Sequence, residues 1–164
     1  RSALLRLSSS GGSSLDLAPD FNEFCALLNA RDVEFVVVGA YALALHGAPR
    51  FTGDLDVLIK PTEENAQRLL LAIADFGFPI PSLSAGQVIE PDRLIEMGVP
   101  PVQIHVMSHI DGVTWRDVWA GRRESRIGTT SVAFIGRNEF LENKRIAGRP
   151  KDLADIAALQ AIEE

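Results

Sequence analysis

The run Glu34-Phe35-Val36-Val37-Val38, stopped at once by Gly39, constrains the fold more than any other stretch. A β-branched run with no polar alternation reads as a buried strand, and such strands sit in sheets that helices cover. The flanking segments supply those helices. Phe21, Phe24, Cys25 and Leu28 recur at helical spacing, which predicts a helix over residues 17–30 with Asp16 or Asp20 near its start. Residues 40–45 form a second helical stretch, broken by Gly47, Pro49 and Gly53. Leu55 to Ile59 reads as a second strand. Thr62, Glu64 and the stripe Leu69-Leu70-Leu71-Ile73 mark a helix running to Phe76.

The pattern then weakens. Pro79, Pro81, Pro91, Pro100 and Pro101 punctuate residues 77–101, where only a short helix over residues 92–97 is expected. Residues 102–107 alternate as a strand. Thr114 to Ala120 is a short helix carrying Trp115 and Trp119 on one face, which suits packing better than base stacking. Residues 126–134 give one or two strands with a turn at Gly128. Helices at 137–147 and 151–162 close the chain. There are no internal repeats. The expected fold is α/β (α+β), a mixed twisted sheet of about four to six strands flanked by helices, ending in a helical hairpin.

The 164 residues fit one domain, taken as residues 15–164. The Ser- and Gly-rich residues 1–14 read as a flexible tail or an added remnant. Twenty-two acidic against 16 basic residues give a net charge of −6, which argues against non-specific coating of nucleic acid. Cys25 is the only cysteine, so an internal disulfide and a cysteine-based zinc cluster are excluded, in keeping with a cytoplasmic location. No stretch approaches the roughly 18 apolar residues needed to span a bilayer, so no membrane partner is expected.

The chemistry concentrates in Asp54-Leu55-Asp56. On a strand, Asp54 and Asp56 project to one side, about 7 Å apart, while Leu55 faces the core. Paired carboxylates repel unless a cation lies between them, and hard oxygen ligands suit Mg²⁺ or Mn²⁺ together with substrate phosphates. The alternative for the pair is an ordinary solvated strand end. Gly39 allows backbone to approach a phosphate closely, or simply makes a tight strand-to-helix turn.

A second focus is basic. Arg137, Lys144, Arg145, Arg149 and Lys151 are five of the 16 cationic residues. A local positive edge in an acidic chain suits a polyphosphate, with Lys144 and Arg149 as candidate holders and Lys151 and Asp152 opening the last helix. Asp155, three residues on from Asp152, could orient Lys151 or Arg149. The plain alternative is a solvated helical hairpin.

Together these motifs resemble the nucleotidyltransferase superfamily of the DNA polymerase beta type, in its small bacterial branch of minimal nucleotidyltransferases and abortive-infection toxins. The likeness rests on Val36-Val37-Val38-Gly39-Ala40-Tyr41, on Arg50-Phe51-Thr52-Gly53-Asp54-Leu55-Asp56, and on Lys144-Arg145 followed by Lys151-Asp152-Leu153-Ala154-Asp155. It implies Asp54 and Asp56 as metal-binding and catalytic residues, with Mg²⁺ or Mn²⁺ as cofactor. It implies NTP contacts from Gly39, Ala40, Arg50, Thr52, Lys144, Arg149, Lys151 and Asp152. The activity implied is transfer of NMP from an NTP to an acceptor hydroxyl on tRNA, protein or a small molecule, either as a stand-alone enzyme or as the toxin-like half of a toxin–antitoxin pair. So small a chain would complete its cleft as a homodimer or with a partner protein.

One departure stands out. The family takes a third carboxylate from a neighbouring strand, and counting back from Ile110-Asp111-Gly112-Val113 puts His105 there. A histidine could serve as general base, or it could mark a fold retained for binding after activity is lost. His46 and His109 are expected to be structural or solvent-facing. A metal-dependent phosphohydrolase is a third reading.

Overall fold

A computed structural model of the protein describes residues 19–50 and 53–162. The reading of residues 1–14, Asp16 as a cap, and Thr52 all fall outside the described residues. Within them the helices are α1 (Pro19–Ala30), α2 (Gly39–Leu45), α3 (Glu63–Phe76), α4 (Ala85–Val88), α5 (Trp115–Gly121), α6 (Arg137–Ala147) and α7 (Pro150–Ile162). The strands are β1 (Phe35–Val38), β2 (Asp54–Ile59), β3 (Leu94–Val99), β4 (Val102–Met107), β5 (Arg123–Ile127) and β6 (Thr130–Phe134). They form one six-stranded sheet in the order β3-β4-β2-β1-β6-β5. Strand β1 runs antiparallel to β2 and parallel to β6, and β2 runs parallel to β4. The expected mixed α/β sheet with a closing helical hairpin is therefore what the chain adopts.

The valine run is interior, as its composition requires: all four residues of β1 are buried. Helices α1 and α3 carry Phe24 and Phe76 into edge-to-face contact at 5.2 Å between ring centroids. Each such buried aromatic or aliphatic side chain is worth roughly 1.5–3 kcal/mol of removal from water. Thr62 caps α3 by accepting the Asn65 N–H, and Gly77 ends it at φ 105°. Buried Asn65 closes a bracket across the strand ends, accepting from the Glu34 N–H at 2.8 Å and donating to the carbonyls of Glu34 and Lys60. Asp20 lies inside the first turn of α1 and is buried.

The expected helix over residues 92–97 is instead strand β3. Ile95 and Met97 are buried while Leu94 and Glu96 are exposed, a period of two that no helix can satisfy. Val99 pairs with Val102 around Pro100 and Pro101, so β3 and β4 form a tight hairpin. A four-residue helix, α4, with Ser84 and Gln87 in a capping box, occupies the preceding segment. Strand β5 begins at Arg123, three residues earlier than expected, and pairs with β6 along its length.

Candidate active site

The sheet register sets the acidic row. Asp54 pairs with Gln103 and Asp56 with His105 across the parallel strands β2 and β4, and His105 pairs onward with Glu96 of β3. Alternation sends Leu55, Val57 and Ile59 into the core on one face, each fully buried, and leaves Asp54 and Asp56 half-buried on the other. His105 thus stands in contact with the dyad, where counting along the sequence put it. Its Nδ1 lies 3.0 Å from Asp56 Oδ1, and its Nε2 lies 3.2 Å from Gln103 Oε1. With both ring nitrogens facing oxygens, the ring is suited to donate on both sides. The hydrogen bond to Asp56 raises the His105 pKa against the opposing effect of burial, and the charges of Asp56, Asp54 and Glu96 add to the rise. Asp54 Oδ1 accepts the Gln103 N–H at 3.2 Å.

Gly39 has a positive φ of 69°. A Cβ there would collide with the Asp56 carboxylate, so glycine is required on both backbone and steric grounds. Gly53 has a parallel role: a Cβ on it would run into the Pro101 carbonyl, and its own carbonyl accepts the Gln103 N–H at 3.3 Å. These two close approaches let the loop enter β2 against the β3–β4 hairpin. Helix α2 has only seven residues, so the appeal of its N-terminus to an anion is small.

The basic motif folds back onto this row. Buried Lys144 places Nζ 3.2 Å from Asp152 Oδ1 and 3.5 Å from Asp155 Oδ2. Arg149 lies along the other side of Asp152, with Nε 2.6 Å from Oδ2. Arg50 of the loop before β2 reaches Asp155 Oδ1 at 3.0 Å. Burial pushes the Asp152 pKa up, but hydrogen bonds from Arg149 and Lys144 outweigh it and bring the value down to about 2. Two expectations change here. Asp152, expected to contact substrate, is fully buried, engaged with Lys144 and Arg149, and does not line the cleft. Asp155 partners Arg50 and Lys144, not Lys151 or Arg149, because its side chain points between α6 and the loop.

A cleft of about 360 Å³ gathers most of the expected residues: Gly39, Ala40, Asp56, His105, Arg50, Lys144, Arg149 and Lys151 all line it. Asp54 stands one pleat back on the same face. Sequence reading missed Asn143 and Asp111, which line the cleft and are joined by a hydrogen bond from Asn143 Nδ2 to the Asp111 carbonyl at 2.9 Å. It also missed Glu96, whose signal was the alternation Leu94-Ile95-Glu96-Met97. His46 binds the Ile135 carbonyl at 2.8 Å and His109 binds Ser108 Oγ at 2.8 Å, both as structural contacts. Trp115 and Trp119 stack on each other, with Arg122 over Trp119. Burial drives the Cys25 thiol up to about 12, so it is inert packing.

Among the described residues, no three His, Cys, Asp or Glu side chains converge as a ready-made metal cage. Two carboxylates on one strand face still fit a hard divalent cation, which commonly takes one or two carboxylates and completes its shell with phosphates and water.

Solved structures with the same architecture include nucleotidyltransferases. A candidate nucleotidyltransferase from Thermotoga maritima superposes with a TM-score of 0.55 at 16% identity, covering 91% of this chain and 97% of that one. The lincosamide antibiotic adenylyltransferase LnuA, bound to lincomycin, gives 0.57 at 14% identity over 88% and 96%. ANT(2")-Ia, in complex with adenylyl-2"-tobramycin, gives 0.53 at 10% identity over 88% and 87%. The chain has the nucleotidyltransferase fold. No family model and no curated protein sequence matches it. Among the described residues, no helix of this nucleotidyltransferase fold is long and apolar enough to cross a membrane.

Proposed function

We propose that the protein is a divalent-metal-dependent nucleotidyltransferase that moves NMP from an NTP to an acceptor hydroxyl. The observation that carries this reading is the convergence of an acidic row and a basic hairpin on one cleft. Asp56 and His105 form one wall, and Arg50, Lys144, Arg149 and Lys151 form the other. Triphosphate oxygens need cations, and a reacting α-phosphorus needs carboxylate-held metal; the cleft offers both sets of ligands.

Asp54 and Asp56 would hold the cation, Mg²⁺ or Mn²⁺, which supplies charge neutralisation at the phosphates. The chain's own groups do the rest. Lys151 and the exposed side of Arg149 face the phosphate end, and Asp152 and Asp155 hold Lys144 and Arg50 in place behind them. The acceptor oxygen bonds to the α-phosphorus, the bridging P–O bond to the β-phosphate breaks, and pyrophosphate leaves. The hydroxyl proton passes to the Asp56 carboxylate and on to solvent, while His105, donating to Asp56 Oδ1, holds that carboxylate in place. That the solved neighbours LnuA and ANT(2")-Ia are named with small-molecule antibiotics supports a small-molecule acceptor over tRNA or protein.

The test is label transfer. Incubation with each α-labelled NTP, Mn²⁺, and separate pools of small alcohols, tRNA and protein should mark one pool. Asp54→Asn and Asp56→Asn should abolish the marking. No transfer from any NTP, with metal binding indifferent to both substitutions, rejects the reading.

His105 at the third-acid position favours one rival: a protein that binds nucleotide without transferring it. His105→Asp separates the two. A gain of metal-dependent transfer means the site had lost its acid, whereas a fall means His105 works in the native reaction.

A further inference from the structure

Next to the catalytic cleft lies a second cavity of about 360 Å³. Its lining is of another kind. Leu58, Ile110, Val113 and Trp115 make it apolar, and its charged or titratable groups are Arg116 and His109. No acidic side chain lines it among the described residues. The two cavities are neighbours by construction of the sheet. His109 and Ile110 belong to the walls of both. Leu58 stands two residues after Asp56 on the same face of β2, about 7 Å along the strand. Its register partner Met107 lines the catalytic cleft. One continuous strip of sheet therefore begins at the Asp56–His105 pair and ends on an apolar floor.

We infer that this second cavity is the acceptor subsite, and that its occupant is a compact, uncharged or anionic compound with an aromatic or aliphatic body and a free hydroxyl. The inference rests on the transferase reading above. Size supports it, because the volume falls at the small-ligand end of the usual range. Charge supports it, because Arg116 without a facing carboxylate disfavours polyamine-bearing sugars. Placement supports it, because a body on Leu58 and Trp115 can present its hydroxyl toward Asp56, the proximity that transfer requires. The step balances as before: acceptor oxygen to α-phosphorus, pyrophosphate released, one proton to solvent.

The experiment uses phenyl β-D-glucopyranoside as probe, with D-glucose as the partner lacking an apolar body and tRNA as a macromolecular acceptor. Calorimetry should show the phenyl glucoside binding at least about tenfold more tightly than glucose. Val113→Phe, which fills the cavity, and Trp115→Ala, which removes one wall, should each weaken the glucoside about tenfold or more. Both variants should keep wild-type affinity for ATP–Mn²⁺, which also reports that they are folded. Label from ATP should pass to the glucoside in the wild type and fall in both variants. Equal binding of glucoside and glucose, or binding unchanged by both substitutions, overturns the subsite. So does binding without label transfer in a protein that transfers label to another acceptor, or transfer to tRNA that neither substitution affects. Failure of ATP–Mn²⁺ binding in the wild type is the separate result that removes the transferase reading itself.

Discussion

Two charged regions meet at the cleft, and they treat their charges in opposite ways. On the β2–β4 side, Asp56 and His105 remain 25% and 18% exposed and face open cleft. On the α6–α7 side, Asp152, Asp155 and Lys144 are 0%, 5% and 9% exposed and satisfy one another. The first group keeps binding capacity for something not made of protein. The second spends its charge on architecture, and only its outer cations, Arg149 at 60% exposure among them, look outward. Similar residue types thus divide into chemistry and scaffold according to whether a protein partner already answers them.

The largest way to break that comparison is to unpair the scaffold. Asp152→Ala takes the nearer carboxylate from buried Lys144, leaving it Asp155 at 3.5 Å, and leaves Arg149 without its hydrogen-bonded partner. It should cost about 3–5 kcal/mol of unfolding free energy, the usual loss when one member of a buried pair is removed. Denaturant unfolding measures it. The paired change Lys144→Met with Asp152→Leu should recover much of that loss, since no buried charge is then left unanswered: Asp155 keeps Arg50, and Arg149, 60% exposed, turns to solvent. The same site predicts an acid limb. The Asp152 pKa is lowered from 3.8 to about 2, so its stabilisation is complete above 3.8 and is lost as pH falls through about 2. The unfolding midpoint of the wild type should drop across that window, and the Asp152→Ala midpoint should drop less. An equal drop in both would mean that the pair is not coupled to folding.

The first group should respond in activity instead. Asp56→Asn removes a proposed metal ligand and replaces the carboxylate that partners His105. It should lower transfer at least about a hundredfold, because metal-borne charge stabilisation is worth several kcal/mol. The unfolding midpoint should change little, since relief of the repulsion with Asp54 offsets the weakened hydrogen bond to His105. A fall in stability comparable to that of Asp152→Ala would erase the distinction between the two regions.

These two regions also differed in how far the sequence disclosed them. The acidic row was legible because strand alternation is a strict rule: Asp-Leu-Asp puts both acids on one side, and Leu55 is indeed buried. His105 was legible because the count along β4 reached the position opposite Asp56. The buried state of Lys144 and Asp152 was not legible. A helical hairpin rich in Lys, Arg and Asp reads equally as a solvated surface, and only packing against the loop at Arg50 reveals which charges are interior. Strand β3 was hidden for another reason. Prolines at 91, 100 and 101 looked like breakers of a loop, yet they bound a hairpin, and that concealed Glu96 beside His105.

A smaller effect sharpens the boundary where the backbone itself touches the site. Gly39→Ala forces a side chain into positive φ and against the Asp56 carboxylate. Strain of this kind costs about 1–3 kcal/mol. Both readouts should move together here, stability falling by that amount and transfer falling as Asp56 is displaced. If transfer stays at the wild-type rate while stability falls, the contact between Gly39 and Asp56 is not part of the working geometry.

The smallest effect comes from a cation that the scaffold does not use. Lys151 lines the cleft from the exposed first turn of α7, where a positive charge is disfavoured by the helix dipole. Removing it by Lys151→Ala should leave stability unchanged or slightly raised. An exposed charge pair is worth about 1 kcal/mol at most, so nucleotide affinity should weaken roughly fivefold. The loss should shrink as salt is added, because screening already weakens the contact. Measured beside Asp152→Ala, the two variants split cleanly: neighbouring residues, one moving only ligand affinity and the other chiefly the stability of the fold. Unchanged affinity at low salt would place Lys151 with the solvated surface and draw the cationic wall back to Arg50, Lys144 and Arg149.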